Sequence, residues 1–229
     1  MFPTVTSPLG MLTNELAANL ASTLELLIVA VFAITGALVA SRKQMDIFGF
    51  CLLGLVTGVG GGTIRELLLG TYPVFWVTDP AYVLVCITVS VLVFFSAHIP
   101  QSRLRLVLWL DAVGLSLVAV TGADHSLNAG TSSIIAVVMG AITATAGGIL
   151  RDLLGGDSPV ILRREIYVTA AIVGASIFTT AEYLRLPHDL AMLLGASACF
   201  AIRGMALHYR WSLPTYKPRP GRDPADLGL

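Results

Sequence analysis

An apolar segment that is interrupted by glycines and followed at once by two charges occurs twice in this chain. The first copy, residues 54–74, reads GLVTGVGGGTIRELLLGTYPV, and the second, residues 140–160, reads GAITATAGGILRDLLGGDSPV. The copies lie 86 residues apart without a gap, and ten of their 21 positions are identical. Upstream, the triplet Thr-Gly-Ala at residues 35–37 recurs at 121–123, and Glu25 aligns with Asp111 at the same offset. The duplication predicts a fold built from two copies of one unit.

The composition indicates which solvent surrounds that fold. The 229 residues are 55% hydrophobic and 12% charged, with a mean hydropathy of +0.82. A soluble domain carries about 25% charged residues, and a charge in hydrocarbon costs several kcal/mol. The low charge therefore predicts an all-α polytopic membrane protein.

Seven segments are long and apolar enough to cross a membrane, which takes about 20 residues. The three cysteines all fall within these apolar segments and are expected to pack as small apolar residues between helices. The predicted spans are about 20–40, 47–69, 81–97, 106–122, 133–154, 166–184 and 190–209.

The basic residues predict the orientation, because Lys and Arg accumulate on the cytoplasmic side. With the N-terminus outside, eleven of the 14 basic residues fall on the inner side, Arg185 falls outside, and Arg65 and Arg151 lie within spans. The expected location is the inner cell membrane, with the C-terminus in the cytoplasm.

A repeat unit of three helices is odd-numbered, so its second copy must insert upside down relative to the first. Inverted repeats are typical of transport proteins, with the path at the repeat interface. The expected organisation is an N-terminal segment (1–19), a first repeat (20–98), an inverted second repeat (104–184), a seventh helix (188–210) and a disordered tail (211–229).

The glycines of the two copies permit two interpretations. Gly54, Gly58 and Gly62 recur every four residues and can form a smooth helix face for close packing. The consecutive run Gly60 to Gly62 instead predicts a kink or an unwound turn, because each glycine destabilises a helix by about 1 kcal/mol relative to alanine. Carbonyls freed there would have to line a wet cavity and could bind a cation. The candidate ion path is Thr57, Gly60, Gly61, Gly62, Thr63, Thr143, Gly147 and Gly148.

Each glycine motif is followed by an arginine and an acidic residue, Arg65-Glu66 and Arg151-Asp152. The arginines could extend to the headgroups, but their repetition favours a structural or pore role. Neighbours on a helix point about 100° apart, so the pseudo-symmetry suggests crossed pairs. We expect Arg65 to pair with Asp152 and Arg151 with Glu66.

Glu25 and Asp111 form a second symmetric acidic pair. They are expected either as solvated helix ends or as acidic mouths that concentrate cations. The four histidines are expected at the membrane interface, and no motif indicates an enzyme, a cofactor or a resident metal.

The sequence GVGGGTIRELLLG at residues 58–70, echoed by AGGILRDLLGG at 146–156, resembles the prokaryotic branch of the trimeric intracellular cation (TRIC) channels, a group also labelled as putative glycine transporters. The resemblance spans about residues 24–208. It implies a homotrimer with one pore per subunit, second and fifth helices kinked at their glycines, and conduction of monovalent cations, chiefly potassium. One departure is Ala146, which stands where the first copy has Gly60.

Two functions remain open from the sequence. A passive cation channel would use the glycine breaks and nearby threonines as ligands, with Arg65 and Arg151 bracing the helices or setting a barrier. A secondary transporter for a small zwitterion such as glycine would bind the carboxylate at broken-helix ends and the amine at acidic residues. A structural membrane subunit is a third, weaker alternative, because buried paired charges would serve no purpose in it.

Overall fold

The computed structural model describes residues 8–96, 103–159 and 166–212, which contain eight helices. They are α1 (Pro8–Arg42), α2 (Ile47–Leu69), α3 (Phe75–Thr78), α4 (Ala81–Ser96), α5 (Arg103–Asn128), α6 (Ser133–Leu154), α7 (Val168–Tyr183) and α8 (His188–Tyr209). Most of the predicted disordered tail, from residue 213 onward, lies outside the described residues.

Every predicted span coincides with a helix, but several boundaries and one element were wrong. α1 begins within the predicted N-terminal segment, and α5 continues beyond the predicted end of its span at about residue 122, up to Asn128. The chain reverses instead at Gly130, whose φ of 82° favours glycine. The single turn α3 was not predicted.

Among the described residues, five helices are long and apolar enough to cross a membrane. These stretches are Ser22–Arg42, Ile47–Leu69, Arg105–Asn128, Ser133–Leu154 and His188–Tyr209. The helices α4 and α7 are also apolar but have 16 residues each. The chain is therefore a multi-pass membrane protein.

The ends of α2 show why the helix begins and stops where it does. The Asp46 side chain accepts a hydrogen bond from Gly49 N at 2.8 Å and caps the first turn. Gly70 ends the helix in the left-handed conformation, with φ 70°. Between these caps α2 is a continuous helix through its glycine run, and α6 is likewise continuous. The prediction was a kink or an unwound turn at the glycines; the unwound turn was therefore wrong, and the kink stays a prediction.

Helix packing follows one pattern in both halves of the chain. α1, α2 and α4 pack against one another, as do α5, α6 and α7. The two groups meet where α2 packs on α6 and α1 on α5, while α8 packs against α5 and α7.

Close contacts within the two groups recur at the repeat offset of 86 residues. A Cβ atom on Gly36 would lie 2.6 Å from Thr57 Oγ1, and one on Gly122 would lie 3.0 Å from Thr143 Oγ1. Glycine at these two positions allows the first helix of each group to approach the second, as small residues do in membrane helix pairs.

A shared cavity and one ion pair indicate the relative direction of α2 and α6. Glu25, near the start of the membrane portion of α1, lines the same cavity as Arg65 near the end of α2. Lys43, just after α1, contacts Asp157, just after α6, at 2.5 Å. The C-terminal ends of α2 and α6 therefore lie at opposite ends of α1.

Candidate functional site

A cavity of about 90 Å³, in part open to solvent, lies between the two helix groups. We call it the open cavity. Its wall combines apolar side chains with a few polar and charged groups, as ligand and ion paths do. The lining residues that matter below are Glu25 of α1, Thr57, Gly61, Arg65 and Glu66 of α2, Phe75 of α3, Tyr82 of α4, Thr121 and His125 of α5, and Thr143 and Gly147 of α6.

The inner end of the open cavity is the contact between α2 and α6. A Cβ atom on Gly61 would collide with the Thr143 carbonyl oxygen, and one on Gly147 would lie 2.6 Å from the Thr57 carbonyl oxygen. Both contacts join equivalent positions of the two copies. The glycines therefore act by removing side chains from a backbone contact, and the helical hydrogen bonds stay in place.

Two threonine hydroxyls lie at this contact and line the cavity. Thr57 Oγ1 donates to Leu53 O at 2.5 Å, and Thr143 Oγ1 donates to Met139 O at 2.6 Å. Each hydroxyl oxygen keeps lone pairs that can accept from water or coordinate a cation. Thr63 differs, because its Oγ1 accepts from Trp76 Nε1 at 2.9 Å and it is not among the lining residues.

Arg65 and Glu66 form one charged pair at the outer part of the cavity. Arg65 Nη2 donates to Glu66 Oε1 at 3.0 Å, and both residues are 8% exposed. Glu66 Oε2 accepts from Phe75 N at 2.7 Å, which ties the end of α2 to α3. Arg65 Nε is buried and has no hydrogen-bond partner among the described residues.

A second polar group at the same end joins three helices. Glu25 Oε2 accepts from the Tyr82 hydroxyl at 2.7 Å, and Glu25 Oε1 lies 3.0 Å from His125 Nε2. The side chains of Glu25 and His125 are 38% and 41% exposed. Glu25 is therefore a partly hydrated carboxylate, held in place by a phenol and an imidazole.

A second group of charged and polar residues lies away from the open cavity, between α1, α5 and α6. We call it the buried cluster, and it consists of Thr35, Asp111, Arg151 and Asp152. Arg151 Nη1 donates to Asp111 Oδ1 at 2.6 Å and to Thr35 Oγ1 at 3.2 Å, and Arg151 Nε donates to Asp152 Oδ1 at 2.9 Å. Arg151 and Asp111 are each 2% exposed. None of the four residues lines the open cavity.

The helix α8 contacts residues that lie next to the buried cluster. The Arg203 guanidinium lies 5.0 Å from the centre of the Tyr167 ring and donates from Nη1 to Ile166 O at 3.1 Å. The Tyr167 hydroxyl approaches Gly148, where an added Cβ would lie 2.9 Å from it. Gly148 thus gives Tyr167 room beside Arg151.

The crossed pairing predicted for the arginines was wrong. Arg65 pairs with Glu66, its neighbour in sequence, and Arg151 pairs with Asp152 and Asp111. Although adjacent Cβ atoms diverge on a helix, the arginine stem is long enough to curve around to the next side chain. Both pairs therefore form within one half of the protein.

The symmetric expectation for the two acidic residues also needs correction. Asp111 is a buried counter-ion of Arg151, so it is neither a solvated helix end nor an acidic mouth. Glu25 does lie at a cavity mouth, but its partners are Tyr82 and His125. His125 lines the cavity near the end of α5, and its position at the membrane interface stays a prediction.

Several site residues were not identified from the sequence. Thr35 belongs to the repeated Thr-Gly-Ala triplet, which was a usable signal. Tyr82 and Tyr167 occur at nearly equivalent places in the two copies, 85 residues apart. Arg203 lies outside the repeat, and nothing in its sequence context distinguishes it from an interfacial arginine.

Comparisons with known proteins agree with the helical membrane architecture. A family model described as "Glycine transporter" matches residues 22–98 and 108–183. The UPF0126 inner membrane protein YadS of Escherichia coli K12 is 43% identical over 192 residues, which cover 82% of this chain and 91% of that protein.

Solved structures are similar as well. A crystal structure of the TRIC trimeric intracellular cation channel orthologue from Rhodobacter sphaeroides is 59% identical, with a TM-score of 0.81 over 84% of this chain and 99% of that one. A structure reported as the basis for conductance through TRIC cation channels is 33% identical, with a TM-score of 0.78 over 87% and 98%.

Proposed function

Because the chain belongs to the prokaryotic TRIC channel family, whose family model is described as a glycine transporter, we propose that it is a potassium-permeable cation channel. Its matched relatives are membrane proteins and cation channels rather than enzymes. In the proposed assembly three copies associate, and each copy has a pore of its own.

The observation that carries the proposal is that the open cavity is enclosed by one chain. Its walls come from α1 to α6 of a single subunit. A path at the interface between subunits would need no such cavity. The geometry therefore favours one pore per subunit.

We propose that the two halves are inverted repeats, with residues 20–98 and 104–184 related by a two-fold axis in the membrane plane. Three observations support this. The contacts of Gly61 and Gly147 are reciprocal, the C-terminal ends of α2 and α6 lie at opposite ends of α1, and the two matched segments of the family model begin 86 residues apart.

The proposed ion path begins in the open cavity and passes the contact between α2 and α6. Thr57 and Thr143 offer hydroxyl oxygens there, and Gly61, Gly62 and Gly147 line the cavity beside them. Gly60 and Gly148 remain candidate path residues from the sequence alone. The path would continue toward the buried cluster, where Arg151 and Asp111 close it. The structure then corresponds to a channel that is open at one end and shut at the other.

The basic residues orient this path. With eleven of 14 basic residues inside, the N-terminus lies outside and the C-terminus in the cytoplasm. The open cavity, beside the start of α1's membrane portion, then faces outward, and the buried cluster faces the cytoplasm.

A second candidate is a transporter of a small zwitterion such as glycine. One observation favours it: the open cavity is lined by the carboxylate of Glu25 and by Arg65, whose buried Nε is unpartnered among the described residues. A zwitterion offers the complementary ammonium and carboxylate groups.

Recordings from the purified protein in planar lipid bilayers separate the two candidates. We expect unitary potassium currents from the wild type and a lower unitary conductance from Thr143→Leu, which fills the inner end of the cavity. Thr63→Val is the matched control, because Thr63 is engaged by Trp76 away from the cavity lining. Saturable glycine uptake into vesicles without potassium current would instead establish the transporter.

A further inference from the structure

The pairing of Glu25 with His125 at the mouth of the open cavity has a consequence for ion entry. The carboxylate Oε1 and the imidazole Nε2 lie 3.0 Å apart, and both side chains are partly exposed to the cavity. A neutral imidazole can donate this hydrogen bond without changing the charge of Glu25. A protonated imidazole forms an ion pair with it.

The remaining charges of the lining largely cancel. Arg65 is paired with Glu66 at 3.0 Å, so this pair contributes no net charge. Tyr82 is neutral and donates its hydroxyl to Glu25. From α6 the cavity is lined by Thr143 and Gly147, neither of which is ionisable. When His125 is neutral, the cavity wall therefore has a net charge of about −1, which is carried by Glu25.

Other ionisable groups near His125 lie away from this lining. Asp124, its neighbour on α5, accepts a hydrogen bond from the Asn128 amide at 3.2 Å. Asp124 also interacts electrostatically with Glu182 of α7 and His188 of α8, which form their own pair at 2.8 Å. Asp79, just before α4, is exposed and accepts a hydrogen bond from the Ala81 amide at 2.9 Å.

We propose that Glu25 determines cation entry at the mouth of the pore and that protonation of His125 switches this determinant off. With a neutral imidazole the wall carries one net negative charge, which concentrates cations in a cavity with low-dielectric walls. The imidazolium cancels that charge. The proposal rests on the proposed channel function.

The expected signature is a potassium conductance that falls as the pH on the cavity side is lowered from about 8 to about 5. At about 0.05 M KCl we expect roughly a threefold decrease between pH 8 and pH 5. At about 1 M KCl the Debye length shrinks to about 3 Å, so the decrease should nearly vanish.

Three variants test the assignment in bilayer recordings of the full chain. His125→Gln keeps an amide donor and should abolish the pH dependence, with conductance staying at its high-pH level. Glu25→Gln removes the negative charge, so its conductance at pH 8 should already be as low as that of the wild type at pH 5. His188→Gln is the matched control: it removes the other histidine–glutamate pair, outside the cavity lining, and should retain the full pH dependence.

The outcomes separate this proposal from the channel function itself. Potassium currents whose pH dependence survives His125→Gln, or disappears in His188→Gln, would overturn the proposal and leave the channel intact. The absence of any potassium current would contradict the channel function, and this proposal with it. A second measurement needs no current: at one fixed pH the NMR signals of the His125 ring should differ between the wild type and Glu25→Gln, and unchanged signals would contradict the pairing.

Discussion

The two charge clusters derive from the same repeated motif, yet one faces a cavity and the other is sealed. Arg65 and Glu66 line the open cavity, whereas Arg151, Asp152 and Asp111 do not. Arg151 has two carboxylate partners, and Arg65 has one. Equivalent sequences have thus produced an accessible end and a closed end.

The last helix, α8, accounts for much of this difference. It packs against α5 and α7, and its Arg203 supports Tyr167 beside the buried cluster. Among the described residues no comparable helix covers the equivalent elements α1 and α4. An element outside the repeat therefore breaks the symmetry that the repeat would impose.

The largest expected effect is the loss of Arg151. In Arg151→Met the carboxylate of Asp111, 2% exposed, loses its partner in the low-dielectric interior. We expect the free energy of unfolding to fall by about 3–5 kcal/mol. Denaturant titration in mixed micelles, at one protein concentration for all variants, measures it.

Arg65→Met is the matched variant from the open half. Its partner Glu66 lines the cavity and can be hydrated there, so we expect a loss of only about 1–2 kcal/mol. Equal losses in the two variants would show that the clusters do not differ energetically.

Substitutions at the contact between α2 and α6 should lower the free energy of unfolding by a smaller amount, which should be equal for the two repeats. Gly61→Ala and Gly147→Ala each place a methyl group against the backbone of the partner helix, and we expect each to cost about 1–3 kcal/mol. The same unfolding titration measures both variants.

Gly60→Ala is the control for this pair. Its Cβ would meet the end of the flexible Leu150 side chain at 2.9 Å, and the equivalent residue of the second copy is already Ala146. We expect a change below about 0.5 kcal/mol. A cost for Gly60→Ala as large as that for Gly61→Ala would mean that the glycines act through helix flexibility rather than close approach.

The glycine motif illustrates what could be predicted from the sequence and what could not. The positions of the long helices and the equivalence of Gly61 with Gly147 follow from hydropathy and the repeat. The predicted unwinding failed because a glycine run has two physical uses, and here the close backbone contact is compatible with intact helical hydrogen bonds.

The charges were harder to place, because a repeat aligns residues without saying which copy is buried. Glu25 and Asp111 are equivalent in sequence, but Asp111 reaches Arg151, whereas Glu25 bonds Tyr82 and His125. These partners lie far apart along the chain, and their contacts depend on packing that hydropathy does not encode.

A third prediction compares access to two equivalent threonines. Thr121 lines the open cavity, whereas Thr35 is fully buried and bonded to Arg151. In a background without Cys51, Cys86 and Cys199, we expect Thr121→Cys to react with a hydrophilic thiol reagent on the order of tenfold faster than Thr35→Cys, because modification requires access to the thiolate. The rates are followed by mass spectrometry. Similar rates would mean that the end of the protein with the buried cluster is also open.

The smallest expected effect concerns the outermost charges of the closed end. Asp157 lies 2.5 Å from Lys43 Nζ and 3.6 Å from Arg42 Nη1, with the side chains 20–32% exposed. Exposed pairs of this kind contribute about 0–1 kcal/mol, because water and salt screen them. We therefore expect Asp157→Asn to lower the free energy of unfolding by less than about 1 kcal/mol, and by still less at high salt. A loss comparable to that of Arg151→Met, in the same titration, would contradict this ranking. It would mean that the exposed link between α1 and α6, rather than the buried cluster, stabilises the closed end.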